Sequence, residues 1–313
     1  MSAAAGAVVT VAIPVRNGGA PLAGVLDAVR AQRVDAEVEL LVADSASSDG
    51  SRERALDAGA RVIDIARGEF GHGATRNLLM REARGARVAL LTQDAEPADE
   101  QWLRRLLEAF DAAEDVGLAF GPYLARPGAS PAVRRELERW FGSLAPGVER
   151  LGADERDLAA VELMGRRGFF SDANACIDRA AWERVPFRDI AYAEDRALAL
   201  DMLRAGFAKV YEPRAAVLHS HAYGPCERFR RVFDEWSGLR EVYGWREPAS
   251  PARLIGRLRG ELGARRREGA GAGTLAAAGC GELSRYLAAV LGSRSGELPG
   301  WLRRSLSLES RRR

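Results

Sequence analysis

The side chains in this sequence that could do chemistry are a few carboxylates and histidines at the ends of apolar segments. Asp94 follows one such segment, Asp195 follows Glu194 at the start of a helical pattern, and His219 and His221 follow the last apolar segment. One carboxylate, one imidazole and the oxygens of a nucleotide diphosphate form a suitable ligand set for Mn²⁺ or Mg²⁺. A separate carboxylate such as Asp195 can take a proton from an incoming hydroxyl. These residue types predict group transfer assisted by a divalent metal.

The elements that must position these side chains alternate between strands and helices. Continuous apolar runs predict strands at residues 8–13, 38–43, 61–65, 87–92, 116–120, 169–177, 207–211 and 214–218. Helical patterns separate most of them, including one predicted over 74–84. This alternation predicts a mostly parallel sheet covered by helices on both faces, whose ligands bind beyond the carboxyl ends of the strands. The loops that follow those ends are 14–18, 44–51, 69–77, 92–96 and 219–221.

Composition and charge divide the chain into two parts. The length of 313 residues and the hydrophobic content of 47% are sufficient for a full core. Residues 1–224 hold 28 Lys and Arg against 34 Asp and Glu, whereas residues 225–313 hold 18 against 10, which gives the second part a net charge of +8. The second part is helical in pattern, with 269–279 interpreted as a linker. It either contacts anionic lipid or a diphosphate-bearing acceptor, or is a solvated extension.

Cysteine usage and hydropathy bear on the location of the protein. The three cysteines have no metal-ligand spacing, and no pattern of a secretory leader is present, so we expect a reducing, cytoplasmic environment. No apolar run approaches the roughly 18 residues that span a bilayer, so any membrane contact would be peripheral, through the basic second part. We expect no nucleic-acid partner.

Seven short segments occur together in a specific order: IPVRNGG (13–19), ADSASSDGS (43–51), GATRN (73–77), TQDAEP (92–97), SDANACIDRAAWERVPF (171–187), AEDRALALDML (193–203) and VLHSHAY (217–223). This set resembles the inverting glycosyltransferases of family 2, and most closely their rhamnosyltransferase-like branch. The resemblance implies an α/β GT-A fold, a Rossmann-like nucleotide-diphospho-sugar transferase with a mixed, mostly parallel sheet flanked by helices and a C-terminal helical extension. It also implies a catalytic domain at 1–224, with nucleotide-sugar binding at about 8–125 and the acceptor part at about 126–224, and an extension at 225–313.

The resemblance assigns a donor site and a metal site. The residues implied to bind the nucleotide sugar are Pro14, Val15, Arg16, Asn17, Asp44, Ser45, His72, Arg76, Gln93 and Asp94. A dTDP-, UDP- or GDP-sugar is the implied donor. Asp94, His219 and His221 are implied to hold a divalent metal, Mn²⁺ or Mg²⁺. Thr92 replaces the first acid of the family's Asp-X-Asp motif, so the metal requirement stays open.

The resemblance also assigns the catalytic groups. Asp195 is implied to be the general base of a single, inverting displacement, with Glu194 orienting its neighbours or the acceptor. Arg76 is implied to stabilise the departing diphosphate together with the metal. The acceptor is implied to be a hydroxyl of a glycan or of a lipid-linked molecule. Without support from a motif, we expect the insertion at about 125–175 and the C-terminal helices to choose the acceptor, with Trp140, Asp172 and Asn174 as candidate contacts.

Several of these residues also have structural explanations. Asp94 and Asp44 are common in turns, and Asp195 is an acid of the kind favoured at a helix N-terminus. His72, between two glycines, is equally suited to a turn, and His221 to a structural role.

Three other functions share some of these features. A nucleotidyltransferase usually opens with a Gly-rich phosphate loop and a signature lysine, whereas the one lysine of this chain is Lys209. An NAD-type dehydrogenase needs GxGxxG after its first strand, which VRNGGAP does not supply. A non-catalytic scaffold that binds a nucleotide sugar or a polysaccharide stays open, because Thr92 weakens the metal motif. Turnover distinguishes it from an enzyme.

Overall fold

The computed structural model describes residues 8–312 and divides into two compact units. The first unit contains the residues up to Ile190 together with Glu194–Ala222, and the second contains Ala191–Ala193 together with the residues from Tyr223. Residues 1–7 and 313, which the predicted domains 1–224 and 225–313 include, lie outside the described residues. The domain boundary after residue 224 stays a prediction.

The first unit alternates strands and helices along the chain. Its strands are β1 (Val8–Val15), β2 (Glu37–Asp44), β3 (Arg61–Asp64), β4 (Arg87–Leu91), β5 (Glu96–Pro97), β6 (Val116–Phe120), β7 (Tyr123–Leu124), β8 (Gly147–Glu149), β9 (Asn174–Asp178), β10 (Ala208–Tyr211) and β11 (Val217–Leu218). Its helices are α1 (Gly19–Arg30), α2 (Ser51–Asp57), α3 (His72–Glu82), α4 (Trp102–Glu108), α5 (Pro131–Phe141), α6 (Arg179–Arg184) and α7 (Glu194–Arg204). Short 3₁₀ turns cover Ala109–Ala112, Ala153–Glu155 and Ala160–Leu163.

Eight strands form the main sheet in the order β3-β2-β1-β4-β9-β6-β10-β8. The pairs among β3, β2, β1 and β4 are parallel, as is β6 with β10, whereas β9 runs antiparallel to both of its neighbours and β8 runs antiparallel to β10. A second sheet has the order β5-β11-β7. The predicted mixed, mostly parallel sheet flanked by helices is therefore confirmed.

Alternation of side chains along β1 places apolar groups on both faces of the sheet. Val11 and Ile13 are fully buried in the cluster that contains Leu22 of α1, whereas Ala12 belongs to the cluster that contains Leu79 of α3. Each face of the sheet thus has its own core, and the carboxyl ends of the parallel strands are left for loops.

Some predicted boundaries were wrong. The strand predicted at 169–177 begins at Asn174, and that predicted at 214–218 is reduced to Val217–Leu218 in the second sheet. The helix predicted at 74–84 spans His72–Glu82, so His72 opens a helix rather than forming a turn. Gly73 allows the first turn of this helix to pack against the backbone of Arg188, because a Cβ atom at position 73 would lie 2.0 Å from the carbonyl oxygen of Arg188.

The second unit is helical, with α8 (Pro225–Tyr243), α9 (Pro251–Arg267), α10 (Ala272–Gly292), α11 (Gly300–Leu306) and α12 (Glu309–Arg312), and a 3₁₀ turn at Ser295–Glu297. The interpretation of 269–279 as a linker was wrong, because α10 begins at Ala272. The alanines that follow favour helix strongly enough to outweigh the nearby glycines. Among residues 8–312, no helix has both the length and the apolar content needed to cross a bilayer.

Lys209 is a buried cation in the first unit. It lies in β10 with 3% of its surface exposed, and its Nζ atom donates to the carbonyl oxygens of Arg167 at 2.6 Å and Phe169 at 2.7 Å. Burial lowers the pKa of Lys209 to about 7, although Glu149, its partner across the antiparallel β8–β10 pair, acts in the opposite direction. The side chain therefore fixes the segment that precedes β9.

We predict that Lys209→Met changes how stability depends on pH. The unfolded chain binds the Lys209 proton below a pKa of about 10.4, whereas the folded chain binds it only below about 7. Between these values the unfolded state carries more protons, so the lysine makes the free energy of unfolding rise with pH. Urea denaturation should show that the difference, wild type minus Lys209→Met, rises by about 1.5 kcal/mol from pH 7.0 to 8.5.

Taking the difference between the two proteins cancels the contribution of other groups. Cys176, for example, has a pKa that burial raises to about 12 in both proteins. Parallel pH dependences for the two proteins would contradict the assignment of a low pKa to Lys209.

Candidate active site

The loops after β1 and β2 hold each other in a fixed conformation. Asn17 and Ala46 have positive φ angles of 49° and 50°, which non-glycine residues seldom adopt. The backbone N–H of Asn17 donates to Ser47 Oγ at 2.9 Å, and that of Ser48 donates to Asn17 Oδ1 at 2.8 Å. These hydrogen bonds stabilise the strained backbone at the point where both strands end.

Two buried polar atoms point to a ligand at this strand end. Asp44 is 2% exposed, and its Oδ2 atom accepts from the backbone of Ser47 at 3.0 Å. Its Oδ1 atom and the Oγ atom of fully buried Ser45 have no hydrogen-bond partner among the described residues. Leaving such atoms unpaired costs about 1–3 kcal/mol each, so a ligand that pairs with them gains affinity.

Other residues predicted to bind the donor lie at the same strand end, where backbone pairing and hydrogen bonds hold them in place. Pro14 and Val15 end β1, and Val15 pairs with Asp44 across the sheet. The backbone N–H of Arg16 donates to Gln93 Oε1 at 2.8 Å, which joins the loops after β1 and β4. Gln93 is thereby a link between two strand ends.

Asp94, His219 and His221 converge into one cluster. His219 Nδ1 lies 3.5 Å from Asp94 Oδ1, and His221 Nδ1 lies 3.6 Å from Asp94 Oδ2. One ligand atom from each residue lies within 4.8 Å of the others. β11 holds the histidine segment in place, because the backbone N–H of His219 donates to the carbonyl of Leu124 at 2.9 Å.

This donor set fits a divalent cation. A carboxylate with two imidazoles suits Mn²⁺ well, and Mg²⁺ less well because Mg²⁺ prefers oxygen ligands. Thr92, which stands where the family motif has an acid, keeps a buried Oγ1 atom without a hydrogen-bond partner among the described residues. The second histidine places a third possible ligand atom in the cluster.

Arg76 forms the centre of a buried ion network. Its Nη2 atom donates to Asp172 Oδ1 at 2.9 Å, and its Nη1 atom lies 2.9 Å from Glu194 Oε1. All three side chains are nearly buried, with 5% to 7% of each exposed. His72 adds its carbonyl oxygen, 3.2 Å from Arg76 Nη1, and its ring, 3.8 Å from Glu194.

This network bears on two predicted roles. The resemblance implied that Arg76 binds at the diphosphate, and Asp172 was predicted to contact the acceptor; in the structure both side chains are buried and bound to each other. Burial raises the pKa of Asp172 well above its usual value, Arg76 opposes that rise, and Glu194 adds to it. Arg76, bound to Asp172 on one side and to Glu194 on the other, therefore holds the N-terminus of α7 in place.

Asp195 is half-buried at the start of α7. Its Oδ1 atom accepts from the backbone N–H of Arg196 at 2.7 Å. Burial raises the pKa of Asp195 and the charge of Glu194 raises it further, whereas Arg196 and Arg76 lower it. A carboxylate with a raised pKa is a stronger proton acceptor than an ordinary aspartate. Ala193, two residues earlier, has a positive φ of 66°.

Asn174, which was predicted to contact the acceptor, lies in the core of the first unit. Its side chain is fully buried, its Oδ1 atom accepts from Trp102 Nε1 at 2.7 Å, and its Nδ2 atom donates to the carbonyls of Ala215 at 2.8 Å and Pro122 at 3.1 Å. These bonds use the whole amide in the core. Trp140, the third predicted acceptor contact, is half-buried, and its ring packs edge-on against Phe169.

Tyr123 is a site residue that the sequence reasoning missed. Its hydroxyl bonds to Ser171, its ring lies 4.9 Å from that of His219, and burial raises the pKa of its phenol, with Asp195 contributing to the rise. Its position in the segment that follows the end of β6 was the available signal, because polar side chains beyond strand ends line such sites.

A cleft of about 630 Å³ adjoins Tyr123. Its walls are mainly apolar and aromatic and include Tyr123, Leu124, Leu137, Phe141, Tyr211 and Leu218, with Arg134 and Glu138 from α5. One aromatic ring thus lies between this cleft and the histidine cluster.

Comparison with known sequences gives three matches that agree with one another. A family profile described as Glycosyl transferase family 2 matches residues 10–181. The chain is 32% identical over 232 residues to the O-antigen chain rhamnosyltransferase RfbN of Salmonella typhimurium, covering 72% of this chain and 70% of that protein. It is 31% identical over 200 residues to the O-antigen chain rhamnosyltransferase WbaN of Salmonella anatum, covering 63% of this chain and 61% of that protein.

Solved structures show the same fold at lower identity. The mannosyltransferase PcManGT from Pyrobaculum calidifontis, in complex with GDP-Man and Mn²⁺, superposes with a TM-score of 0.55 at 18% identity, covering 91% of this chain and 86% of that one. Glucosyl-3-phosphoglycerate synthase from Mycobacterium tuberculosis, in complex with Mn²⁺, UDP-glucose and phosphoglyceric acid, gives 0.53 at 21% identity, covering 79% and 82%. The predicted GT-A fold is confirmed.

We predict that Arg76→Met lowers the free energy of unfolding by about 3–5 kcal/mol, because Asp172 and Glu194 would remain buried without their counter-ion. Arg52→Met is the matched control, since Arg52 also bonds a carboxylate, Asp64, but with 40% and 62% of the two side chains exposed. That control should cost less than about 1 kcal/mol. Urea denaturation at neutral pH measures both, and equal losses would contradict the buried network.

Proposed function

Since the chain belongs to glycosyl transferase family 2 and is a glycosyltransferase of the rhamnosyltransferase-like branch, we propose that it transfers rhamnose or another hexose, with inversion, from a nucleoside diphosphate sugar to a hydroxyl of a glycan or of a lipid-linked acceptor. The convergence of Asp94, His219 and His221 at the carboxyl edge of the sheet carries this proposal. A cluster of this composition suits a cation that binds a diphosphate.

The donor's base occupies the pocket after β1 and β2. The unpaired Oδ1 atom of Asp44 accepts a hydrogen bond from the base, and the unpaired hydroxyl of Ser45 is available beside it. The identity to two O-antigen chain rhamnosyltransferases supports rhamnose as the sugar and polysaccharide biosynthesis as the process. Structures of similar fold were solved with GDP-Man or UDP-glucose, and the family resemblance adds dTDP-sugars. The nucleotides to compare are therefore dTDP, UDP and GDP.

Asp94, His219 and His221 would hold a divalent cation. A cation bound there would supply positive charge opposite the diphosphate. Asp94 supplies the charged ligand, and the Tyr123 ring at 4.9 Å restricts how far the His219 ring can turn. The two imidazoles give the cluster a softer ligand set than carboxylates alone, which favours Mn²⁺ over Mg²⁺.

Asp195 acts as the general base. Its carboxylate takes the proton of the acceptor hydroxyl while the oxygen of that hydroxyl bonds to the anomeric carbon, and the bond from that carbon to the diphosphate breaks with its electron pair leaving on the diphosphate. One displacement of this kind inverts the anomeric centre. Glu194 binds Arg76 and thereby orients the start of α7 rather than touching the substrates.

The cleft beside Tyr123 receives the acceptor. Its apolar and aromatic walls suit the faces of sugar rings or a lipid chain, and Arg134 and Glu138 offer polar contacts at α5. This assignment replaces Asp172 and Asn174 as acceptor contacts and retains the 125–175 insertion as the part that chooses the acceptor.

Location and membrane contact stay predictions. The second unit has residues suited to a surface with anionic lipid, since Trp301 is 67% exposed and Arg303 and Arg304 lie in the same helix, α11. A cytoplasmic location with peripheral contact at the membrane agrees with a lipid-linked acceptor.

We predict that one of dTDP, UDP and GDP binds tightly in the presence of Mn²⁺ and at least 10-fold more weakly without it. Asp94→Ala should remove the metal dependence, because it removes the charged ligand. Isothermal titration calorimetry measures both effects. Asp99→Ala, which removes another carboxylate at the surface near the same strand end, should bind as wild type does. If no nucleotide binds with or without metal, the proposed function is wrong.

We predict that Asp195→Asn lowers kcat by about 10²–10⁴-fold while leaving nucleotide affinity unchanged, because it removes proton transfer and not binding. The assay is acceptor-dependent release of nucleoside diphosphate from the donor. Asp201→Asn is the control, since Asp201 lies in the same helix and bonds Arg188 at the surface. A wild type that binds nucleotide yet shows no turnover, with Asp195→Asn indistinguishable from it, would favour the non-catalytic scaffold that Thr92 suggested.

A further inference from the structure

Arg126 contacts both loops that carry the candidate metal ligands. Its Nη2 atom donates to the carbonyl oxygen of Asp94 at 2.8 Å. Its backbone N–H donates at 3.0 Å to the Oγ atom of Ser220, which lies between His219 and His221. A residue with these two contacts lies at the cluster itself.

Arg76 is the arginine that the family resemblance implied for an anionic ligand. Arg76, which the sequence places near the diphosphate, is 95% buried and bound to Asp172 and Glu194. Removing it from two buried carboxylates would leave both without a counter-ion. Arg76 therefore cannot turn toward a ligand at the metal cluster without disrupting the network.

Arg126, in contrast, has a counter-ion that it can exchange. Its Nη1 atom lies 3.3 Å from Glu96 Oε2, and the two side chains are 26% and 30% exposed. Ion pairs that are open to solvent contribute little to stability, whereas arginine forms short, strong hydrogen bonds with phosphate oxygens. The guanidinium has five N–H donors, and its contacts with Asp94 and Glu96 use two of them.

We propose that Arg126 binds the diphosphate of the nucleotide sugar, exchanging Glu96 for phosphate oxygens while keeping its hydrogen bond to the carbonyl of Asp94. The inference rests on the proposed function and adds to it a positively charged residue that the family resemblance did not supply. It assigns to Arg126 the stabilisation of the departing diphosphate that the family resemblance implied for Arg76.

The test compares nucleotides that do and do not carry a diphosphate, using Arg126→Gln. Glutamine is shorter than arginine and uncharged, so this variant loses the positive charge and the hydrogen bond to the carbonyl of Asp94 together, and the affinity for Mn²⁺ without nucleotide separates the two effects. With Mn²⁺ present, we expect the Kd of the nucleoside diphosphate that wild type binds most tightly to rise about 10- to 100-fold. The Kd of the corresponding nucleoside should change less than about 2-fold, since the base pocket is untouched. Arg126→Lys, which keeps the charge but not the planar donors, should give an intermediate loss.

Arg105→Gln is the matched control. Arg105 also bonds one carboxylate, Asp99, and one backbone carbonyl, that of Arg214, each at 2.7 Å, and is 20% exposed. It lies outside the cluster, so nucleoside diphosphate affinity should equal that of wild type. Urea denaturation of each variant checks that it is folded.

Two results would overturn the inference alone: wild-type affinity of Arg126→Gln for the nucleoside diphosphate, or an equal loss in its affinity for Mn²⁺ without nucleotide. Electron paramagnetic resonance of free Mn²⁺ measures the second, and an equal loss would mean that Arg126 only positions Asp94. If wild type itself binds no nucleoside diphosphate, the proposed function fails and this inference fails with it.

Discussion

The buried guanidinium of Arg76 fixes the arrangement on which the candidate site depends. Asp172 lies just before β9 and Glu194 opens α7, so one side chain from α3 joins three separate parts of the chain. Burying two carboxylates is unfavourable unless a cation lies between them, and burying an arginine is unfavourable without them. Each of the three charges therefore depends on the others for a favourable buried position. Asp195, the residue after Glu194, is positioned by that network, while burial raises its pKa, the charge of Glu194 raises it further and Arg76 opposes the rise.

The edge of the sheet adds a second constraint, made of backbone hydrogen bonds rather than charge. The loops after β1, β2 and β4 are joined by contacts such as Arg16 to Gln93 and Ser48 to Asn17, in which an N–H of one loop reaches a side chain of another. These contacts hold two residues in the left-handed region of φ and leave the Oδ1 atom of Asp44 unpaired. A pocket shaped before its ligand arrives loses less conformational entropy on binding.

Sequence alone predicted the parts of the fold that follow from local pattern. The strands and the loops at their carboxyl ends could be predicted because period and polarity are properties of short segments, and Asp94, His219 and His221 could be singled out because few such residues occur there. The roles of Arg76, Asp172 and Asn174 could not, because each depends on a partner 40 or more positions away. Residues 269–279 show the limit of local reasoning, since glycine frequency indicated a linker where alanine formed a helix.

Lys209 has a practical consequence for following the motions of this protein. The chain carries a single lysine amine, and in the folded state that amine lies in the core, bonded to two carbonyls of the segment before β9. An amine-specific acylating reagent can modify this side chain only while β10 and that segment have separated. The rate at which Lys209 is acylated therefore measures how often this part of the core opens, and no reporter residue has to be engineered into the chain.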